Sequence, residues 1–169
     1  MGQCRWCEKK GLFLKITENG LCRQCDIVVV SKVVQHHKHF NESFHLIESS
    51  QNIDTMVSRF DYMTQLMEDL LPYEQKGIPT INPRPSEFLA DVDENRDEVI
   101  IDGLNREFKK LKKKIAGMKT ERGKRNNLEK FKEMIANYSK QLHDMKLVKP
   151  IFDAVNKYEK VYLSGFTSS

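Results

Sequence analysis

The chain has 169 residues, of which 39% are hydrophobic and 31% charged, with a formal net charge of +4. That is enough apolar material for one ordinary core, or for a small module with a helical body behind it, and too little for two large cores. No run approaches the roughly 18 consecutive apolar residues of a membrane span, and the first ten residues carry cysteine and charge where a signal peptide has its apolar stretch.

All four cysteines fall within the first 25 residues. A disulfide framework spread through the fold is thereby excluded, and reduced thiols available for a metal point to the cytoplasm. They form two pairs, Cys4-Arg5-Trp6-Cys7 and Cys22-Arg23-Gln24-Cys25, separated by 14 residues. Two residues between cysteines let both thiolates of a pair reach one ion, and two such pairs complete a tetrahedron. Four ligands leave no open coordination position, so the pattern predicts a structural Zn2+ site in place of a catalytic one. Between the pairs, Leu12 to Thr17 has strand-forming residues and Glu18-Asn19-Gly20 suits a tight turn, which predicts a short β-hairpin. After Cys25 the pattern becomes helical, which places the second pair at a helix start.

Knuckle, hairpin and a cysteine pair opening a helix resemble the treble-clef or zinc-ribbon-type four-cysteine fingers, over residues 4 to about 30. Two features depart from that family: Glu8 stands where such knuckles often carry glycine, and the gap is shorter than the usual spacing of about 15 to 20. The resemblance implies a scaffold used in DNA, RNA and protein docking without choosing among them. Treble-clef nucleases use a histidine from the hairpin, and none lies between these cysteine pairs.

Beyond the finger the sequence reads as mainly α. Val30, Val33, His37, Phe40, Phe44 and Ile47 recur at helical spacing, so the finger's last helix should continue, forming a helical pair over residues 26–73. Its second member carries Ile53, Met56, Phe60, Met63, Met67 and Leu70, opens at Gln51 or Asn52 and should stop near Pro72. Gly77, Pro79, Pro83 and Pro85 predict an irregular linker over 74–90. A helical hairpin over 91–147 follows. Its first helix opens near Asp91 or Asp93, with Asp91 and Glu94 as a capping pair, and carries Ile101, Leu104, Phe108, Leu111, Ile115 and Met118. Its second carries Leu128, Phe131, Ile135, Tyr138, Leu142 and Met145, after a turn at Glu121 to Lys124; both stripes have coiled-coil-like spacing. A C-terminal helix over 150–164 carries Phe152, Val155, Tyr158 and Tyr162 and should end by Gly165.

Charge is unevenly distributed. Residues 74–102 hold 3 basic and 8 acidic side chains, whereas residues 103–132 hold 12 and 3. The basic group Arg106, Lys109, Lys110, Lys112, Lys113, Lys114, Lys119, Arg122, Lys124 and Arg125 would cluster at the tip of the hairpin. Together with Arg5, Trp6 and Arg23 beside the metal, these are the candidate nucleic-acid contacts. The acidic stretch from Asp91 to Asp102 resembles a calcium loop in spacing only, because Arg96 stands where the loop's turn needs glycine. His36, His37, His39 and His45 form no metalloprotease motif, and no glycine-rich phosphate cradle is present.

These observations predict a non-catalytic zinc-binding adaptor whose helical body binds a protein partner or a second copy of itself. Nucleic-acid binding through the finger flank and the basic tip is the alternative. Neither a membrane nor a small-molecule substrate is expected as a partner.

Overall fold

The computed structural model describes residues 2–163; the expected stop at Gly165 lies outside them. Two short strands, β1 (Gly2–Gln3) and β2 (Lys10–Gly11), pair antiparallel, with Gly2 opposite Gly11. Six α-helices follow among the described residues: α1 (Arg23–Ser49), α2 (Ile53–Gln75), α3 (Pro85–Ala90), α4 (Val92–Ala116), α5 (Glu121–Ser139) and α6 (Lys149–Leu163). A 3-10 turn, Met145–Val148, precedes α6. No helix is long and apolar enough to cross a membrane.

The chain divides into two compact units rather than one body with an appendage: a first unit up to Glu48 together with Ser58–Val92, and a second formed by Ser49–Val57 with the chain from Asp93 onward. Each buries its own modest apolar core.

In the first unit, α1 and α2 pack side by side through Val29, Phe40, Met63, Leu66, Met67 and Leu70, and the finger closes one end with Leu21 and Cys22. The inward face of α1 is Val29, Phe40 and Ser43 with the half-buried Val33, His36 and Ile47; it keeps Val33, Phe40 and Ile47 of the expected stripe and replaces Val30, His37 and Phe44 by their preceding neighbours. Valines at 28, 29, 30, 33 and 34 supply apolar side chains on several sides of the helix, so periodicity alone does not choose the rotation. Phe44 and Val30 consequently lie exposed, while the small Ser43 is buried.

Helix α2 opens as expected at Asn52, whose side-chain oxygen accepts from the Thr55 amide at 3.0 Å. It does not stop at Pro72 but continues to Gln75. Proline removes one donor and leaves the final turn intact, because the Tyr73 carbonyl is taken by the Lys76 and Ile78 amides. Within the expected irregular linker, residues 85–90 form the helix α3, with Pro85 in its first turn. The Glu74 carboxylate accepts from the Ser86 amide at 2.8 Å and its hydroxyl at 2.6 Å, satisfying donors that a helix start leaves open.

In the second unit, α4, α5 and α6 enclose Leu104, Phe108, Ile115, Leu128, Ile135 and Val155. Phe108 stacks on Phe131 with centroids 5.5 Å apart and meets Tyr158 edge-on at 5.9 Å. The connection between α4 and α5 is residues 117–120, so Glu121 to Lys124 is the first turn of α5 and not the turn between the helices. Helix α5 ends at Ser139, earlier than its apolar pattern suggests: Leu142 is buried, but Met145 is 67% exposed. The cause is Asp97, a buried carboxylate on α4 that accepts the His143 and Asp144 amides at 2.9 and 2.8 Å and turns the chain toward α6.

Candidate metal centre and charged surface

The first knuckle forms because the backbone folds back on itself twice. The Cys4 amide donates to the Lys9 carbonyl at 3.0 Å, and the Glu8 amide donates to the Cys4 carbonyl at 2.9 Å. Glu8 itself has φ 60°, the left-handed region that favours glycine, and it is the one non-glycine residue so placed among those described. The β1–β2 pair brackets this knuckle. The expected hairpin between the cysteine pairs is reduced to a single antiparallel bridge, Ile16 to Cys22, around the turn at Glu18 to Gly20. A knuckle this short closes its own ladder first, leaving residues 12–15 to loop outward. Gly20, at φ 76°, lets the turn pass beneath Arg5, whose Nε would lie 2.6 Å from any Cβ there. Asp26, in the first turn of α1, ties the turn to the helix by accepting from Thr17 Oγ1 at 2.8 Å and Asn19 Nδ2 at 2.9 Å.

These contacts bring Cys4, Cys7, Cys22 and Cys25 together, with all four Sγ atoms within 4.8 Å of one another. Cys7 Sγ and Cys22 Sγ are 3.8 Å apart, matching the edge of about 3.8 Å of a tetrahedron with metal–sulfur bonds of ~2.3 Å. Burial raises the Cys4 thiol, but the backbone amides of Cys22, Cys7 and Trp6, with the Cys7 side chain, outweigh it and lower the thiol to about 6. Cys25 is pushed up to about 12, by burial first and then by the Cys22, Cys7 and Cys4 sulfurs. The surroundings thus favour a thiolate at Cys4 and oppose one at Cys25, an opposition that a divalent cation among the four sulfurs would offset. The donor set fits a metal.

No family model, curated protein or solved structure matches this chain.

The flank of the site is occupied from within. Trp6 packs on Tyr73 with centroids 4.4 Å apart, and Lys76 Nζ lies 5.5 Å from the Trp6 ring. Arg5 donates to the Gly77 carbonyl at 2.5 Å. Trp6 and Arg5 therefore clamp the knuckle to the end of α2, with Trp6 half-buried and Arg5 still exposed. Arg23 is exposed at the start of α1.

The basic segment divides. Arg106 pairs with Asp102 at 2.6 Å, Lys110 with Glu107 at 3.0 Å and Arg125 with Glu121 at 2.6 Å, while Lys112 lies over the Phe108 ring. Lys109, Lys113, Lys114, Lys119, Arg122 and Lys124 make no ion pair among the described residues, and all but the half-buried Lys124 are exposed. Of the histidines, His36 reaches Asp69 at 3.3 Å, while His39 and His45 pair with Glu42 and Glu48 on their own helix.

Sequence reasoning missed the loop tip of the finger. Leu12 and Phe13 are the central residues of a turn from Gly11 to Leu14, and they are 78% and 96% exposed. Lys9, Lys10 and Lys15 flank them, also exposed. The available signal was Gly11, which ends the ladder and denies Leu12 and Phe13 the strand their side chains favour.

Proposed function

We propose that this chain is a non-catalytic adaptor in which a structural zinc ion, held by Cys4, Cys7, Cys22 and Cys25 in a treble-clef-like finger, rigidifies a surface that binds a protein partner. The carrying observation is the apolar surface of the finger unit: Leu12 and Phe13 at the loop tip, with Ile27, Val28 and Val34 exposed on α1. Large side chains so placed cost solubility unless something covers them. Zinc is the reading favoured by an all-sulfur, four-ligand set with no position left for water. A reducing compartment such as the cytoplasm suits thiols kept for a metal.

The test compares the native chain with a Leu12→Ser, Phe13→Ser variant. Metal analysis should return one zinc per chain for both, with unchanged helical content. Chemical cross-linking should show association, with itself or with a partner, that the variant loses. Equal cross-linking by both proteins would overturn the reading.

A second reading, nucleic-acid binding, draws on the six unpaired cations around the connection between α4 and α5. Affinity for a labelled oligonucleotide would then fall steeply with salt and vanish on reversing Lys112, Lys113 and Lys114 to glutamate. Absence of binding at low salt removes it.

A further inference from the structure

The second unit contains a groove whose two ends differ. Its open part is lined by Glu107, Lys110 and Lys114 of α4 and by Asn127, Lys130 and Met134 of α5; Gly103 and Tyr138 stand one helical turn farther along the same two helices. At that end a helix, the first turn of α2, already packs against them. Gly103 is needed there, since a Cβ at that position would lie 2.7 Å from Ile53 Cγ1. Tyr138 donates to the Asp54 carboxylate, and Arg106 Nη1 donates to the Ser50 carbonyl at 2.6 Å.

At the other end the groove stays open, with a volume of about 370 Å³. The half-buried Met134 and the edges of the buried Leu111 and Phe131 form its apolar floor, and Lys110, Lys114 and Lys130 stand along its rim with Glu107, to which Lys110 is paired at 3.0 Å. Lys114 and Lys130 make no ion pair among the described residues. The full line from Gly103 to Lys114 is about 16 Å at ~1.5 Å per residue, so the open part has room for about two helical turns.

We infer that this open half of the groove docks an amphipathic helix of a partner protein, its apolar face on Leu111, Phe131 and Met134 and acidic side chains toward Lys110, Lys114 and Lys130. Two observations select that occupant: a helix, the first turn of α2, already packs against Gly103 of α4 and Tyr138 of α5 farther along the same two helices, and the rim carries three lysines against the single carboxylate of Glu107. A basic helix would be repelled, and a strand would leave its backbone unpaired against side chains. The inference rests on the adaptor reading and names the chemistry of one partner surface.

The experiment uses the full chain and a synthetic amphipathic peptide of about 14 residues, four helical turns, with leucines on one face and glutamates beside them. A second peptide replaces each glutamate with lysine, and a single-stranded oligonucleotide serves as a third probe. In amide-resolved NMR titrations the acidic peptide should shift residues of α4 and α5 around Leu111 and Met134, binding at least about tenfold tighter than its basic counterpart. Reversing Lys110, Lys114 and Lys130 to glutamate should invert that preference. Reversing Lys109 and Lys113, which do not line the groove, should leave it in place. Equal loss in both variants would mean that net charge alone acts, and would overturn the inference. So would shifts in these residues caused by the oligonucleotide and not the peptide, or no shifts at all. Shifts confined to Leu12, Phe13 and α1 would overturn the groove while leaving the adaptor reading standing; that reading fails separately, through unchanged cross-linking in the Leu12→Ser, Phe13→Ser variant.

Discussion

In the finger, two-residue strands and a single bridge leave Cys4, Leu21 and Cys22 to close the end of the α1–α2 pair, whereas the helices from α4 onward enclose Leu104, Leu128, Ile135 and Val155 completely. The finger buries few apolar side chains of its own, and its four sulfurs lie where a metal would supply the missing constraint. The second unit needs no such clasp. The surfaces differ in where apolar groups stand open: the cysteine-held end carries Leu12 and Phe13 at its loop tip, while the helical unit stacks Phe108 and Phe131 inside and exposes Met145, Val161 and Tyr162 toward its C-terminal end.

Removing the metal is the largest perturbation that separates the two. Chelation, or Cys22→Ser, should unfold roughly the first 30 residues, because binding worth about 10 kcal/mol or more is also folding free energy in so small a module. Hydrogen exchange should show amides before Arg23 losing protection while those of α4, α5 and α6 keep theirs. Equal loss in both units would show that the second depends on the first. The converse perturbation is Leu128→Ala, which leaves a cavity at a fully buried position of the bundle. It should cost about 3 kcal/mol in denaturant unfolding of the second unit and leave the zinc content unchanged.

The same contrast explains what could be read in advance. The cysteine site was legible because ligand chemistry demands fixed spacing, and the structure brings those four residues together. The stripe of α2 was legible from Ile53 to Leu70, and that of α5 from Leu128 to Tyr138, because charged neighbours leave one apolar face. On α1 the same logic found Val33, Phe40 and Ile47 but missed Val29, His36 and Ser43, since valines surround its axis and packing fixes its rotation. Three further features depend on partners distant in sequence. Glu74 caps a helix at Ser86, Asp97 ends α5 through His143 and Asp144, and Trp6 is covered by Tyr73. No local pattern at either member of those pairs announces the other.

Gly103 tests the close approach inside the bundle. Alanine there pushes a Cβ into Ile53, so Gly103→Ala should destabilise the second unit by about 1 to 3 kcal/mol despite its better helix propensity. Ile53→Ala, which removes the opposing Cγ1, should cost less in the Gly103→Ala background than in the native chain, and a double-mutant cycle measures that coupling. A simple gain in stability from Gly103→Ala would show that the start of α2 is not seated against α4.

The smallest expected effect lies at Glu8, where two terms oppose each other. Its backbone sits at φ 60°, which glycine tolerates better, while its carboxylate pairs with Lys76 at 2.8 Å. The Lys76 hydrogen bond and charge hold the Glu8 carboxyl below its ordinary value. Whatever the pair adds is therefore present above the ordinary carboxylate range and is lost as pH falls through the lowered value. Both groups are exposed, so salt should weaken the pair further. Alanine removes the pair and keeps the backbone cost; glycine removes both. Thermal unfolding of the metal-loaded chain at neutral pH should thus rank Glu8→Gly above Glu8→Ala, and the gap between these two should persist in high salt, where the site keeps its metal. The gap between Glu8→Ala and the native chain should close under those conditions. If the Gly–Ala difference also closed, the left-handed residue in the knuckle would not be what distinguishes this finger from the glycine-bearing kind it resembles.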